Sequence, residues 1–213
     1  MIQSVLSSKI EEYCTNNERI QTLRIRLLLR TDCGVECQIQ SIPSTSDNEI
    51  KTVTVSKLAV NTNSPFVLNK TTHRDIYDYA KHSSNKDVFD IILRNSEDQI
   101  TETTIANVAI QSTALSEDKN MALITPPTSS GLLDGTMRQF LLNESKLCEK
   151  IISVKDIRNA KDQGLKIYCF NSVRELYQEL QQTKSVAVRN RTSDLPDSSR
   201  PYEPKGYNVK LFS

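Results

Sequence analysis

Lys70 follows the apolar run Pro65-Phe66-Val67-Leu68 and has Arg74 close behind it. An amine works as a nucleophile or base only when it is neutral, and burial or a cationic neighbour favours that form. Both conditions lie close to Lys70 in sequence. Taken alone, such a lysine is a solvated residue at the end of a strand. Glu102 stands in Thr101-Glu102-Thr103-Thr104, whose hydroxyls can hold a carboxylate by hydrogen bonds. Taken alone, it too is a solvated strand end. Gly135-Thr136-Met137-Arg138 opens a helix after a turn. Free N–H groups and the positive end of the helix dipole make such a start a seat for phosphate, and Thr136 adds a hydroxyl. The plainer alternative is an ordinary helix start with Thr near the cap. Asn171-Ser172 falls between an expected strand and an expected helix, as a second phosphate contact or as a helix cap.

The elements that must position these residues are mixed in type. Ile2, Val5, Leu6, Ile10 and Tyr13 repeat with helical spacing. Residues 23–29 read as a strand whose Arg24 and Arg26 share one face, because strand side chains repeat every second residue. Asp32-Cys33-Gly34 turns the chain, and residues 35–42 return as the partner strand of a hairpin. A polar loop over 43–48 leads to a strand over 50–60. Ile76, Tyr79 and Ala80 place a helix over 71–83. Strands are expected over 88–93, 105–110 and 121–124, with a turn at 95–98 and a polar loop over 114–120. Residues 126–131, with consecutive prolines, are expected to be irregular. Helices over 136–143, 154–160 and 173–182 alternate with strands over 147–152 and 165–170. Residues 185–207 are polar and proline-bearing and are expected to be loosely ordered, with a last strand over 207–212. The alternation points to an α/β (mixed α+β) domain over 1–183 and a tail over 184–213.

Composition narrows the partners. Lys and Arg outnumber Asp and Glu by 27 to 26, so no charge excess recruits nucleic acid or an anionic membrane. No apolar run approaches the ~18 residues of a membrane span. Met1-Ile2-Gln3-Ser4 does not begin a secretory signal. Five scattered cysteines and two histidines, without a CxxC pair, do not form a structural metal set. The expectation is a reduced, cytoplasmic protein that binds no nucleic acid, membrane or metal.

Order raises the weak single signals. Lys70-Thr71-Thr72-x-Arg74 is followed by Thr101-Glu102-Thr103-Thr104-Ile105-Ala106-Asn107. Next come Thr125-Pro126-Pro127 and Ser130-Gly131-Leu132-Leu133-Asp134-Gly135-Thr136-Met137-Arg138, and then Asn171-Ser172-Val173-Arg174. This series resembles the class IV aminotransferase fold of pyridoxal-phosphate enzymes, and within it the fungal type of aminodeoxychorismate lyase, over residues 23–178. The resemblance implies pyridoxal 5'-phosphate as cofactor. It implies that Lys70 is the covalent attachment point and the mover of protons, and that Glu102 pairs with the pyridine nitrogen. Thr136 and Met137 would hold the phosphate with help from Ser172, Asn107 would support the glutamate loop, and Arg26 would meet a substrate carboxylate.

The implied reaction releases pyruvate from 4-amino-4-deoxychorismate to give 4-aminobenzoate for folate synthesis, in a homodimer. The same fold also serves branched-chain and D-amino-acid aminotransferases. By the resemblance, the chain is the large C-terminal domain of the fold. Only residues 1–22 precede the strand at 23–29, so the small N-terminal domain, which gives an arginine to the phosphate, is expected to be lacking. A domain-lacking protein that acts as an interaction module is the reading from a different class.

Overall fold

A computed structural model describes residues 2–16, 23–42, 52–84, 88–111 and 123–179. Helix α1 (Ile2–Thr15) lies against an antiparallel hairpin of β1 (Leu23–Leu29) and β2 (Val35–Ser41). Leu29 is opposite Val35 and Leu23 opposite Ser41. The turn is closed by the Gly34 N–H, which donates to Asp32 Oδ1 at 2.9 Å, with Cys33 at a positive φ of 63°. Directly opposed residues share a face. Arg24, Arg26 and Leu28 therefore lie on the same face as Gln40, Gln38 and Glu36. Leu28 is buried on that face.

The rest of the described chain forms two sheets. The smaller joins β3 (Val53–Ala59), β4 (Asp90–Arg94) and β5 (Ile100–Thr103) in that order. Strands β3 and β4 are parallel, so a crossover must connect them. That crossover carries a single helical turn, α2 (Pro65–Leu68), the Lys70 segment, and α3 (Asp75–His82). The larger sheet contains β6 (Asn107–Gln111), β7 (Leu123–Thr125), β8 (Cys148–Glu149), β9 (Ile167–Asn171) and β10 (Glu175–Glu179). Its order is β10-β9-β6-β7-β8, antiparallel except for the β7–β8 pair. Helix α4 (Thr136–Asn143) precedes β8, and α5 (Val154–Asp162) precedes β9.

Strand periodicity explains the layers. In β4, Ile91 and Leu93 pack with Tyr77 and Ala80 of α3. Ile92 points the other way, into a core shared with Val108 and Ile110 of β6, Ile167 and Cys169 of β9, and Ile157 of α5. Ala109 and Phe170 leave the shared core on its far side and meet Leu141 of α4. Helices α3 and α4 thus cover the outer faces of two sheets whose inner faces meet.

Several expectations are corrected. The apolar run before Lys70 is not a strand. Pro65 takes the first position of α2, where its missing N–H costs nothing, and Ser64 caps the turn by accepting from the Phe66 N–H at 3.3 Å. Helix α3 begins only at Asp75, four residues later than expected. The run around Glu102 forms a strand, β5, which alternation did not signal. Residues 128–130 make one 3-10 turn within the stretch expected to be irregular. Strand β8 has two residues in place of six. Residues 175–179 form a strand, not part of a helix. The expected loops at 43–48 and 114–120 and the tail from 184 lie outside the described residues.

One side chain fixes α4 to its surroundings. Arg138 is only 2% exposed, and it bonds Asp134 at 2.7 Å, the Pro126 carbonyl at 3.0 Å, and Glu149 of β8. Both carboxylates are partly open to water, which limits what the pairing contributes. Arg138→Met keeps the bulk and removes these bonds. It is expected to lower stability by about 2 kcal/mol, measured by denaturant titration at pH 7.

Candidate active site

The lysine arm runs from α2 to α3. Asn69 ends α2, and its Nδ2 donates back to the Pro65 carbonyl at 3.0 Å. Beyond Lys70, the Thr71 hydroxyl is bonded to both the carbonyl and the N–H of His73, each at 3.2 Å. The His73 ring stacks at 4.1 Å on Phe66. The arm is therefore folded back on itself with Lys70 at its bend. The Lys70 side chain keeps an open face to solvent. Even so, burial lowers its pKa, and Arg74 lowers it further. Arg24 and Arg26 of β1 add to this, while Glu102 opposes it. Arg24 and Arg26 share one face of the hairpin, and their charges act on Lys70.

Glu102 sits on β5 and is 4% exposed. Burial raises its pKa from 4.5 to about 7, against four influences that favour the charged form. These are the Tyr77 hydroxyl, the Leu133 backbone N–H, and the charges of Lys70 and Arg74. Tyr77 Oη donates to Glu102 Oε1 at 2.8 Å. The Arg74 guanidinium lies 4.5 Å from the centre of the Tyr77 ring and donates to the Thr104 carbonyl. Thr104 in turn donates its hydroxyl to the buried Asp90.

The expected phosphate seat adjoins this carboxylate. Asn107 begins β6, and its Nδ2 donates to the Leu133 carbonyl at 2.8 Å. A Cβ on Gly135 would stand 2.5 Å from Asn107 Oδ1, so only glycine allows the loop to lie this close. Gly135 caps α4 without a side-chain bond, leaving the first turn to its backbone N–H groups. Thr136 is exposed at that start, whereas the Met137 side chain turns inward onto the Leu141–Phe170 cluster. Met137 can therefore offer its N–H but not its thioether. Ser172 lies exposed in the turn from β9 to β10. Asn171 shapes that turn by accepting from the N–H groups of Val173 and Arg174 at 3.0 and 2.9 Å. Its Nδ2 donates to the Ile105 carbonyl at 3.2 Å, which ties the turn to the loop after Glu102.

The structure thus brings together Lys70, Glu102, Asn107 and the Thr136 helix start; Arg26 lies on the hairpin, bonded to Gln38, and its charge acts on Lys70. Ser172 is linked to them through Asn171. Tyr77, Leu133 and Arg24 were not singled out from sequence. Tyr77 lies in the first turn of α3, directly behind the lysine arm. Among the described residues no cluster of His, Cys, Asp and Glu could hold a metal ion, and no helix is long and apolar enough to cross a membrane.

Residues 2–178 match the family model for class IV aminotransferases. The chain belongs to that family. A Schizosaccharomyces pombe protein named "Putative aminodeoxychorismate lyase" is 34% identical over 115 residues, which are 53% of this chain and 46% of that protein. The chain thus spans about half the length of this curated relative. Among solved structures, a "Putative amino-acid aminotransferase" from Mesorhizobium loti gives a TM-score of 0.68 at 23% identity, over 81% of this chain and 79% of that one. A 4-amino-4-deoxychorismate lyase from Pseudomonas aeruginosa gives 0.59 at 10% identity, over 84% and 69%. At these identities the structural likeness shows the class IV fold. The mixed α/β architecture expected from sequence is the one found.

The raised pKa of Glu102 has a consequence for stability. The folded chain holds this proton more tightly than the unfolded chain between pH 4.5 and about 7. The stabilisation is complete below 4.5 and is lost as pH rises through 7. At most it amounts to about 3 kcal/mol. Glu102→Gln removes the titration. The variant should gain on the parent by up to about that amount between pH 4.5 and pH 8, measured by urea titration at each pH. A constant difference would show that the carboxyl titrates normally.

Proposed function

We propose that the chain is a pyridoxal-phosphate lyase that releases pyruvate from 4-amino-4-deoxychorismate and forms 4-aminobenzoate. The observation that carries this reading is the facing pair itself: a lysine amine shifted towards neutrality beside a carboxylate buried on a strand. Class IV aminotransferases are pyridoxal-phosphate enzymes. The residues here fit that group. An amine shifted towards neutrality suits its aldehyde, a buried carboxylate its ring nitrogen, and a helix start without a side-chain cap at Gly135 its phosphate.

Lys70 would hold the cofactor and later move the proton at the substrate carbon, a role worth about 10²–10⁴-fold. Glu102 would keep the pyridine nitrogen protonated. The N–H groups of Thr136 and Met137 and the Thr136 hydroxyl would bind the phosphate with Ser172, while Asn107 holds the Leu133–Gly135 loop in place. When bound, the cofactor supplies an electron sink.

The lyase reading is favoured over transamination by the hairpin. Arg24 and Arg26 stand on one face of β1, and the charges of both act on Lys70. Guanidinium groups suit carboxylates, and 4-amino-4-deoxychorismate carries one on its ring and another on its enolpyruvyl arm. Such a protein would work in the cytoplasm on a small soluble substrate, and as a dimer like the family it resembles.

With added pyridoxal phosphate, the purified chain is expected to develop an absorbance band that the free cofactor lacks. Lys70→Ala should abolish it. Pyruvate should then form from 4-amino-4-deoxychorismate without any amino acceptor, at a rate lowered at least about 10²-fold in Lys70→Ala. A keto acid formed only when an acceptor is present would assign the chain to the aminotransferases. A chain that stays colourless would exclude both reactions.

A further inference from the structure

Tyr77 lies outside the roles assigned above, yet it joins the two sides of the site. It belongs to α3, the helix that follows the lysine arm, and its hydroxyl reaches a carboxylate on β5. Its ring is held in turn. Arg74 covers the ring at 4.5 Å and is itself anchored on the Thr104 carbonyl. Arg74, the residue just before α3, meets Thr104 just past the end of β5, and Tyr77 in α3 meets Glu102 within that strand.

The Tyr77 hydroxyl carries one proton, and it gives that proton to Glu102 Oε1 at 2.8 Å. The carboxylate is thereby fixed in rotation about its last bond, with the hydroxyl as a standing donor to its charged form. The ring itself is buried on Ile91 and Leu93 and cannot swing away.

We propose that Tyr77, held by Arg74, is a positioning residue that orients and keeps charged the Glu102 carboxylate which reads the cofactor's ring nitrogen. This rests on the pyridoxal-phosphate reading above. Tyr77 acts only through Glu102, so its effect exists only for a ligand that has a ring nitrogen. The residue is not needed to hold the aldehyde or the phosphate. Those fall to Lys70 and to the start of α4.

The test compares pyridoxal phosphate with its analogue in which carbon replaces the ring nitrogen. Binding of each to the parent chain and to Tyr77→Phe is followed by absorbance titration. Tyr77→Phe is expected to weaken pyridoxal phosphate roughly tenfold, the value of a hydrogen bond to a charged group. The carbon analogue should bind both chains equally. Equal weakening of both ligands would reduce Tyr77 to a structural clip and overturn the proposal, as would no weakening of either. If the parent chain binds neither compound, the cofactor reading falls and takes the proposal with it.

A measurement without cofactor separates these cases. Carbon-13 NMR of the Glu102 carboxyl in the empty chain should show its titration midpoint move up by about one pH unit in Tyr77→Phe. An unmoved midpoint would refute the orienting role whatever the cofactor result. Arg74→Lys keeps the charge but gives up the planar contacts. It should show the same selectivity between the two ligands, and it serves if Tyr77→Phe does not fold.

Discussion

A carboxylate kept almost wholly out of water is the constraint on which the rest of this structure turns. Burying an unpaired charge is among the most costly things a fold can do, so the group must be met by donors or lose its charge. Glu102 is met from several directions. Tyr77 comes from α3, the Leu133 N–H from the loop before α4, and Lys70 and Arg74 from the arm between α2 and α3. The lysine arm and α3 are continuous, but β5 and the loop before α4 lie well beyond them in sequence. Any fold that buries Glu102 must therefore draw them to one place, and drawing them there also assembles the site.

The layered architecture makes this convergence possible. Helix α3 is seated on β4 by Tyr77 and Ala80, and α4 on β6 and β9 by Leu141. The sheets share one apolar core, so the two helices keep a fixed separation. Strand β5 and the start of β6 follow each other through the tight turn at Thr103–Ala106. Glu102 and Asn107 thus face the lysine arm and the α4 loop from one short length of chain. Membership of the class IV aminotransferase family accords with this arrangement, in which the chemistry sits where the elements meet.

Much of the site could be read in the sequence because its parts are local. Lys70 with Arg74, the glycine before Thr136, and Asn107 behind Glu102 each occupy a few consecutive residues. What escaped notice depends on distant contacts. Tyr77 and Glu102 are 25 residues apart, and no spacing rule links a helix position to a strand position. The clearest error over elements was the segment after Asn171. Val173, Leu176, Tyr177 and Leu180 have helical spacing, but residues 175–179 pair with the open edge of β9. Backbone bonds at a sheet edge outweighed a short amphipathic pattern. Strand β5 was missed because threonines flank its one charge, and the alternation that would have marked it was hidden by polar side chains that are nonetheless buried.

The double attachment of Arg74 and Tyr77, to the turn after β5 and to β5 itself, also fixes a length. One residue inserted between Arg74 and Tyr77 would turn the phenol about 100° around the helix axis and direct it away from the carboxylate. One residue removed would do the same in the opposite sense. The interval from Arg74 to Tyr77 is thus a spacer at the start of α3, and an insertion or deletion within it would part the guanidinium's anchor from the phenol's.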